Sequence, residues 1–123
     1  MKSIVYERIK DRLNVSFGKF IDITSDWEFR PFYINGKLMC VVMIRGDSVH
    51  VITTNEYKGR GLSRTLFKEV LGEIFNKYGH IDTQVMSDHK SGIRLAEWLG
   101  FVKISEEGNI LSYRMEQTNV WSQ

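Results

Sequence analysis

Residues 55–66, NEYKGRGLSRTL, lie between a run of strand-forming residues and a long amphipathic pattern. They predict a turn from a strand into a helix, with Gly59 and Gly61 at the junction. The first turn of a helix has free main-chain N–H groups and a partial positive charge. Because glycine has no Cβ, an anion can approach such a main chain closely. The stretch therefore indicates an anion-binding turn.

Two other interpretations of this turn are open. It is neither a Walker-type loop, because GxxxxGK[ST] is absent, nor a GxGxxG turn, because Arg64 stands at the third glycine position. Its basic residues, Lys58, Arg60 and Arg64, could be solvated around an ordinary turn or, together with Lys68, bind nucleic acid. A net charge of +2 and the lack of interleaved aromatic residues give nucleic-acid binding little support.

Upstream of the turn, residues 32–54 predict three antiparallel strands. Asn35-Gly36 is typical of a tight hairpin turn, and residues 45–47 make a second turn. The middle strand is apolar on both faces, so it should be central and covered. Residues 3–13 predict an amphipathic helix, whereas residues 17–29 give a mixed signal that indicates an irregular or short helical segment.

Downstream, a helix is predicted to end at Tyr78-Gly79 and a strand to follow. Ser87-Asp88 offers an N-cap for a second helix. The apolar face of that helix includes Ile93, Leu95, Trp98 and Leu99. A hairpin turning near Gly108-Asn109 completes the pattern. The order predicts an α/β (α+β) fold with a mixed, mainly antiparallel central sheet and flanking helices.

Size and composition predict one domain over residues 1–116 and a polar tail over 117–123. Cys40 lies in an apolar run and is expected to be a buried core residue. The three histidines are scattered singly, so no metal site is predicted. No signal-peptide or membrane-spanning run is present, and a cytoplasmic protein without a membrane partner is expected.

Two motifs resemble those of the GNAT N-acetyltransferase superfamily. The first, [Q/R]-x-x-G-x-[G/A], corresponds to residues 58–63, KGRGLS. The second, N-x-x-A-x-x-L-Y-x-x-L-G-F, corresponds to residues 89–101, HKSGIRLAEWLGF. The resemblance covers residues 32–115 and implies the acyl-CoA N-acyltransferase fold. The compact form also resembles short proteins of this kind that bacteriophages encode.

The resemblance implies that the chain binds acetyl-coenzyme A. The pantetheine arm would pair with the strand that ends in Ile52 and Thr53, and His89 stands at the motif's asparagine. The main-chain N–H groups of the glycine-rich turn would hold the pyrophosphate. The implied residues of that turn are Lys58, Gly59, Arg60, Gly61, Leu62, Ser63 and Arg64.

Catalysis would need a base to take the proton of an attacking amine. His50 has the best location, on the strand beside the cofactor. The other candidate bases are Glu28, Asp47, Glu56 and Asp82. The motif's acidic tyrosine is replaced by Ala96. Its candidate substitutes are Tyr57, Ser91 and Tyr113, and we expect Tyr113 to take the catalytic role.

Four aromatic residues before and within the first predicted strand could form a wall of the pocket for the acceptor amine, or they could belong to the core. They are Trp27, Phe29, Phe32 and Tyr33. Two functions are compatible with these residues. The first is transfer of an acetyl group to a primary amine of a small molecule or a protein. The second is a protein of the same fold that has no turnover and serves in binding, in regulation or in a virion. Ala96 favours the second. The family resemblance also implies that the chain can form a homodimer.

Overall fold

The computed structural model describes residues 1–53 and 67–116, which contain helices and the strands of a mixed sheet. The elements in chain order are helices α1 (Lys2–Leu13) and α2 (Phe17–Ile23), strands β1 (Glu28–Ile34), β2 (Lys37–Arg45) and β3 (Ser48–Thr53), a π-helical turn (Phe67–Leu71) followed directly by α3 (Gly72–Tyr78), strand β4 (Ile81–Met86), helix α4 (Lys90–Trp98) and strands β5 (Val102–Glu107) and β6 (Ile110–Met115).

The strand order is β1-β2-β3-β4-β6-β5. The pair β3·β4 is parallel, whereas β1·β2, β4·β6 and β5·β6 are antiparallel. The predicted α+β class and mixed sheet are confirmed. Among the described helices, none is long and apolar enough to cross a membrane.

The described chain divides into two compact units. The first comprises residues 1–45 and 50–53, and the second comprises 46–49 and 67–116. Strand β3 contributes residues to both. The single domain expected over residues 1–116 stays a prediction.

An aromatic core holds the helices of the first unit on its hairpin. Tyr6 of α1 packs on Phe17 and Phe20 of α2, with ring centroids 5.3 and 5.5 Å apart. The Tyr6 hydroxyl donates a hydrogen bond to the Val15 carbonyl at 2.7 Å, which satisfies its polar end. Phe20 also contacts the ring of Phe29 on β1 at 6.2 Å. The short helix α2 therefore supplies the central aromatic side chain of this unit.

The β1–β2 hairpin turns where its sequence predicts. Asn35 and Gly36 have φ values of 52° and 79°, the left-handed pair that a two-residue hairpin turn needs. Strand β2 is buried from Cys40 to Ile44, as its apolar composition indicated. The start predicted for β1 at Phe32 is wrong, because the strand begins at Glu28. Pro31 lies within β1, where a proline is tolerated because this strand lies at the sheet edge.

Two predictions for α4, in the second unit, are wrong. The helix begins after His89 rather than after Ser87-Asp88. His89 holds the N-cap position and makes no side-chain capping hydrogen bond. Trp98, assigned to the apolar face, is 49% exposed. Leu99, which was also assigned to that face, is buried as predicted, and so is Ala96 three residues before it.

Candidate active site

His50, the predicted base, lies on β3 in the first unit against an indole ring. Its imidazole centroid is 5.3 Å from the Trp27 ring, with the planes tilted by 36°. The guanidinium carbon of Arg45 lies 4.6 Å from the Trp27 ring centroid. Arg45 Nη1 is 3.6 Å from Asp26 Oδ2. The side chains of His50, Trp27, Arg45 and Asp26 form a group that we call the β3 stack.

The environment of the β3 stack favours a neutral imidazole. Burial, and after it the positive charge of Arg45, lowers the pKa of His50 below its ordinary value of 6.5. At pH 7 the ring is therefore unprotonated and able to accept a proton. This property is the one that a general base requires.

The other aromatic residues divide between core and surface. Trp27 and Phe29 pack against the buried cluster of the first unit. Phe32 is buried, whereas Tyr33 is 56% exposed. Tyr33 is thus the residue of the proposed wall that faces solvent.

The end of β3 is anchored by the first helix. The Thr53 carbonyl accepts a hydrogen bond from Arg8 Nε at 2.7 Å, and Ile52 packs against the buried cluster of the first unit. An open groove of about 630 Å³ runs beside these two residues. Its lining also includes Ile4, Val5, Glu7, Arg8, Asp11, Lys37, Leu38 and Val41.

The parallel ladder engages only the beginning of β3 among the described residues. Ser48 pairs with Asp82 of β4, and the Asp82 N–H donates to the Asp47 carbonyl at 2.8 Å. Ile52 and Thr53 are not part of this ladder. The strand segment predicted to pair with the pantetheine arm therefore lies beyond the parallel pairing.

Ala96, which stands where the motif has its acidic tyrosine, lies in the second unit. Ala96 is 6% exposed and carries no proton to donate. Tyr113 on β6 is 2% exposed, and its hydroxyl donates to Glu97 Oε2 at 3.4 Å. Burial, together with the charge and hydrogen bond of Glu97, raises the pKa of Tyr113 above 10.0. Tyr113 is thereby a weaker acid than an ordinary tyrosine.

His89 directly precedes α4 and fills space beside Gly92. A Cβ placed on Gly92 would lie 2.9 Å from His89 Nδ1 and 3.1 Å from Val85 Cγ1. The family motif has asparagine and alanine at these two positions. This chain has a larger side chain than the motif at residue 89 and a smaller one at residue 92, and the two residues are in contact. The motif positions taken one by one did not predict this contact.

Asp47, His80 and Asp82, which the sequence analysis did not connect, lie close together in the second unit. His80 Nε2 lies 2.6 Å from Asp47 Oδ2, and Asp82 forms a two-pronged ion pair with Arg114 at 2.7 and 3.0 Å. One ligand atom from each of Asp47, His80 and Asp82 lies within 4.8 Å of the others. Two candidate bases are therefore already engaged, Asp47 by its contact with the His80 ring and Asp82 by its ion pair with Arg114.

Of the remaining candidates, Glu28 binds Arg30 at 2.8 Å on exposed β1, and Ser91 is exposed at the beginning of α4. Burial raises the pKa of the Cys40 thiol to about 12, so it is a core residue and not a nucleophile. Some predicted site residues lie outside the described part of the chain. They are Glu56, Tyr57, Lys58, Gly59, Arg60, Gly61, Leu62, Ser63 and Arg64.

The fold resembles solved N-acetyltransferases, although no protein-family model and no curated protein matches the sequence. Spermidine N-acetyltransferase from Vibrio cholerae, a dodecamer, is 16% identical with a TM-score of 0.65, over 96% of this chain and 89% of its own. Campylobacter jejuni PseH in complex with acetyl coenzyme A is 13% identical with a TM-score of 0.65, over 95% and 90%.

PH1933 from Pyrococcus horikoshii OT3 is 15% identical with a TM-score of 0.66, over 92% of this chain and 83% of its own. At these identities the likeness concerns the fold. The chain thus has the GNAT N-acetyltransferase fold that its two motifs implied.

Proposed function

We propose that the protein is an acetyl-coenzyme A-dependent N-acetyltransferase whose acceptor is a primary amine of a small molecule or a protein. The observation that carries this proposal is the likeness over 95% of the chain to PseH, an acetyltransferase solved with the cofactor. The glycine-rich residues 55–66 support it, because they follow β3 almost directly in sequence.

In this proposal the cofactor binds by its phosphates and its pantetheine arm. The main-chain N–H groups of residues 58–64 hold the pyrophosphate, and the basic side chains around them screen its charge. The pantetheine amides pair with the main chain of Ile52 and Thr53 as an added strand would. His89 completes the predicted set of cofactor residues.

His50 is proposed to act after the amine has attacked. An alkylammonium with a pKa of about 10.4 would give its proton to an ordinary imidazole, with a pKa of about 6.5, only at a cost of about 5 kcal/mol. The lowered pKa of His50 makes this transfer costlier still. The nitrogen becomes far more acidic once it has bonded to the thioester carbon. The amine therefore enters in its neutral form, the N–C bond forms, and His50 removes the proton from the adduct as the C–S bond breaks.

The coenzyme A sulfur can leave without an acid from the protein. A thiol has a pKa near 8.5, so protonating its thiolate from an ordinary tyrosine is uphill by about 2 kcal/mol. The raised pKa of Tyr113 increases this cost. The proposed mechanism consequently lets the thiolate depart as an anion and tolerates Ala96.

Calorimetric titration with acetyl-coenzyme A tests the cofactor site. Gly61→Asp places a carboxylate against the proposed pyrophosphate position and should weaken binding at least tenfold, about 1.4 kcal/mol or more. Gly18→Asp is the matched control, because a side chain at Gly18 on α2 meets no atom within 4 Å. Equal affinity in the Gly61→Asp variant and the wild type would refute the site.

Turnover is tested by release of free thiol from acetyl-coenzyme A in the presence of an amine panel that includes spermidine. His50→Gln should lower kcat/KM by about 10²–10⁴, the usual contribution of a general base. Its affinity for acetyl-coenzyme A should remain near that of the wild type.

A second candidate is a GNAT-fold protein that binds partners without turnover. The buried Ala96 favours it, because the family's acid is missing from α4. Cofactor binding without thiol release for any amine in the panel would support this candidate. Thiol release that depends on an amine would exclude it.

A further inference from the structure

The Arg45 side chain is held over the indole ring of Trp27 by two contacts. Its guanidinium carbon lies 4.6 Å from the ring centroid, a cation–π distance. Its Nη1 lies 3.6 Å from Asp26 Oδ2, and Asp26 directly precedes Trp27 in the chain. The same short segment thus supplies both the ring and the counter-ion for Arg45.

The indole in turn fixes the imidazole of His50. The two rings lie 5.3 Å apart with a tilt of 36°, and Trp27 also packs against the buried cluster of the first unit. A ring held in this way can present its nitrogens in few directions. The orientation of His50 therefore depends on the placement of Trp27.

We propose that Arg45 is the positioning residue for His50, because it fixes the indole against which the imidazole packs. Its positive charge acts in addition, since it disfavours a second positive charge on the nearby imidazole. This inference rests on the proposed function only where it concerns catalysis. Arg45 need not contact the substrate or the cofactor for this role.

The charges around the β3 stack support the electrostatic part. Burial acts first, and Arg45 second, in lowering the pKa of His50. Arg45, from the end of β2, and Asp26, from the segment before β1, are the charged members of the stack. Their ion pair is long and its side chains are 54% and 64% exposed, so water screens it.

The direct test is an NMR titration of the His50 ring in the full-length protein without any ligand. The His50 signal is identified by its loss in His50→Gln. Arg45→Gln should shift the titration midpoint of His50 to higher pH. Arg45→Lys keeps the charge and should hold the midpoint close to the wild-type position.

Arg30→Gln is the matched control, since Arg30 also pairs with a carboxylate in the first unit, on exposed β1. It should leave the His50 midpoint unchanged. An unchanged midpoint in Arg45→Gln would overturn the proposal. An equal upward shift in Arg45→Lys would also overturn it, because the charge would then have no part.

A pH profile of kcat/KM with acetyl-coenzyme A and propylamine tests the catalytic consequence. The acidic limb should move to higher pH in Arg45→Gln relative to the wild type. A uniform loss at every pH, without movement of the limb, would indicate a merely structural role and refute the inference. If the wild type releases no thiol with any amine, the proposed function fails, while the NMR titration still decides the role of Arg45.

Discussion

Adding one methyl group at Gly92 should destabilise the protein only while residue 89 keeps its imidazole ring. A Cβ at this position would meet His89 Nδ1 at 2.9 Å, His89 Cδ2 at 3.1 Å and Val85 Cγ1 at 3.1 Å. The first distance is shorter than real Cβ contacts, so the ring or the helix has to move. Gly92→Ala thus tests whether His89 is the reason for a glycine at this position.

The magnitude follows from two opposing effects. Alanine in place of glycine in a helix is favourable by up to about 1 kcal/mol. Overpacking of this kind costs about 1–3 kcal/mol. We therefore expect Gly92→Ala to lower the free energy of unfolding by about 1 kcal/mol. In a His89→Ala background two of the three close contacts vanish, and the same substitution should be neutral or stabilising.

The assay is urea unfolding of the wild type, both single variants and the double variant, followed by circular dichroism. The double-mutant cycle should give a coupling of about 1–2 kcal/mol. Effects that add within about 0.5 kcal/mol would refute the proposed contact between the two residues. The variant His89→Asn with Gly92→Ala, which carries both motif residues, should be at least as stable as the wild type.

Three further predictions concern stability. Phe20→Ala should cost about 3–5 kcal/mol in urea unfolding because Phe20 is 2% exposed, whereas Phe17→Ala, at a residue 42% exposed, should cost about 1 kcal/mol. Because burial raises the pKa of Cys40 from 9.0 to about 12, the wild type should lose about 1.4 kcal/mol per pH unit between pH 9 and 12 relative to Cys40→Ala. Parallel curves above pH 9 would contradict this. Asp82→Asn breaks the two-pronged pair with Arg114 and should cost about 1 kcal/mol in thermal unfolding, with unchanged stability as the contrary result.

Much of the fold could be predicted because its signals are local. Asn35-Gly36 fixes a turn by the conformation of two residues, and the apolar run of β2 indicates burial by composition alone. The end of α3 at Tyr78 was predicted in the same way. The error at β1 arose where a distant partner decided the outcome. Glu28 belongs to the strand because it pairs with Ile44 of β2.

The candidate site was less accessible to sequence reasoning. The position of His50 on a strand was predictable, but the indole beside it was not, because Trp27 lies in a segment with a mixed pattern. The identity of the cofactor residues in residues 58–64, the role of Tyr113, the cytoplasmic location and the likeness to bacteriophage proteins stay predictions.

The sequence by itself determined the order of the elements, the main turns and the class of fold, since the period of apolar residues and the conformational preferences of glycine and asparagine act between near neighbours. Only the tertiary structure decided which charges and rings meet. Asp82 finds Arg114 because β4 and β6 pair with these two residues directly opposite each other. His50 finds Trp27, and through it Arg45, because folding brings β3 against the segment that precedes β1. Such contacts depend on strand register and chain return, which no local pattern of residues specifies.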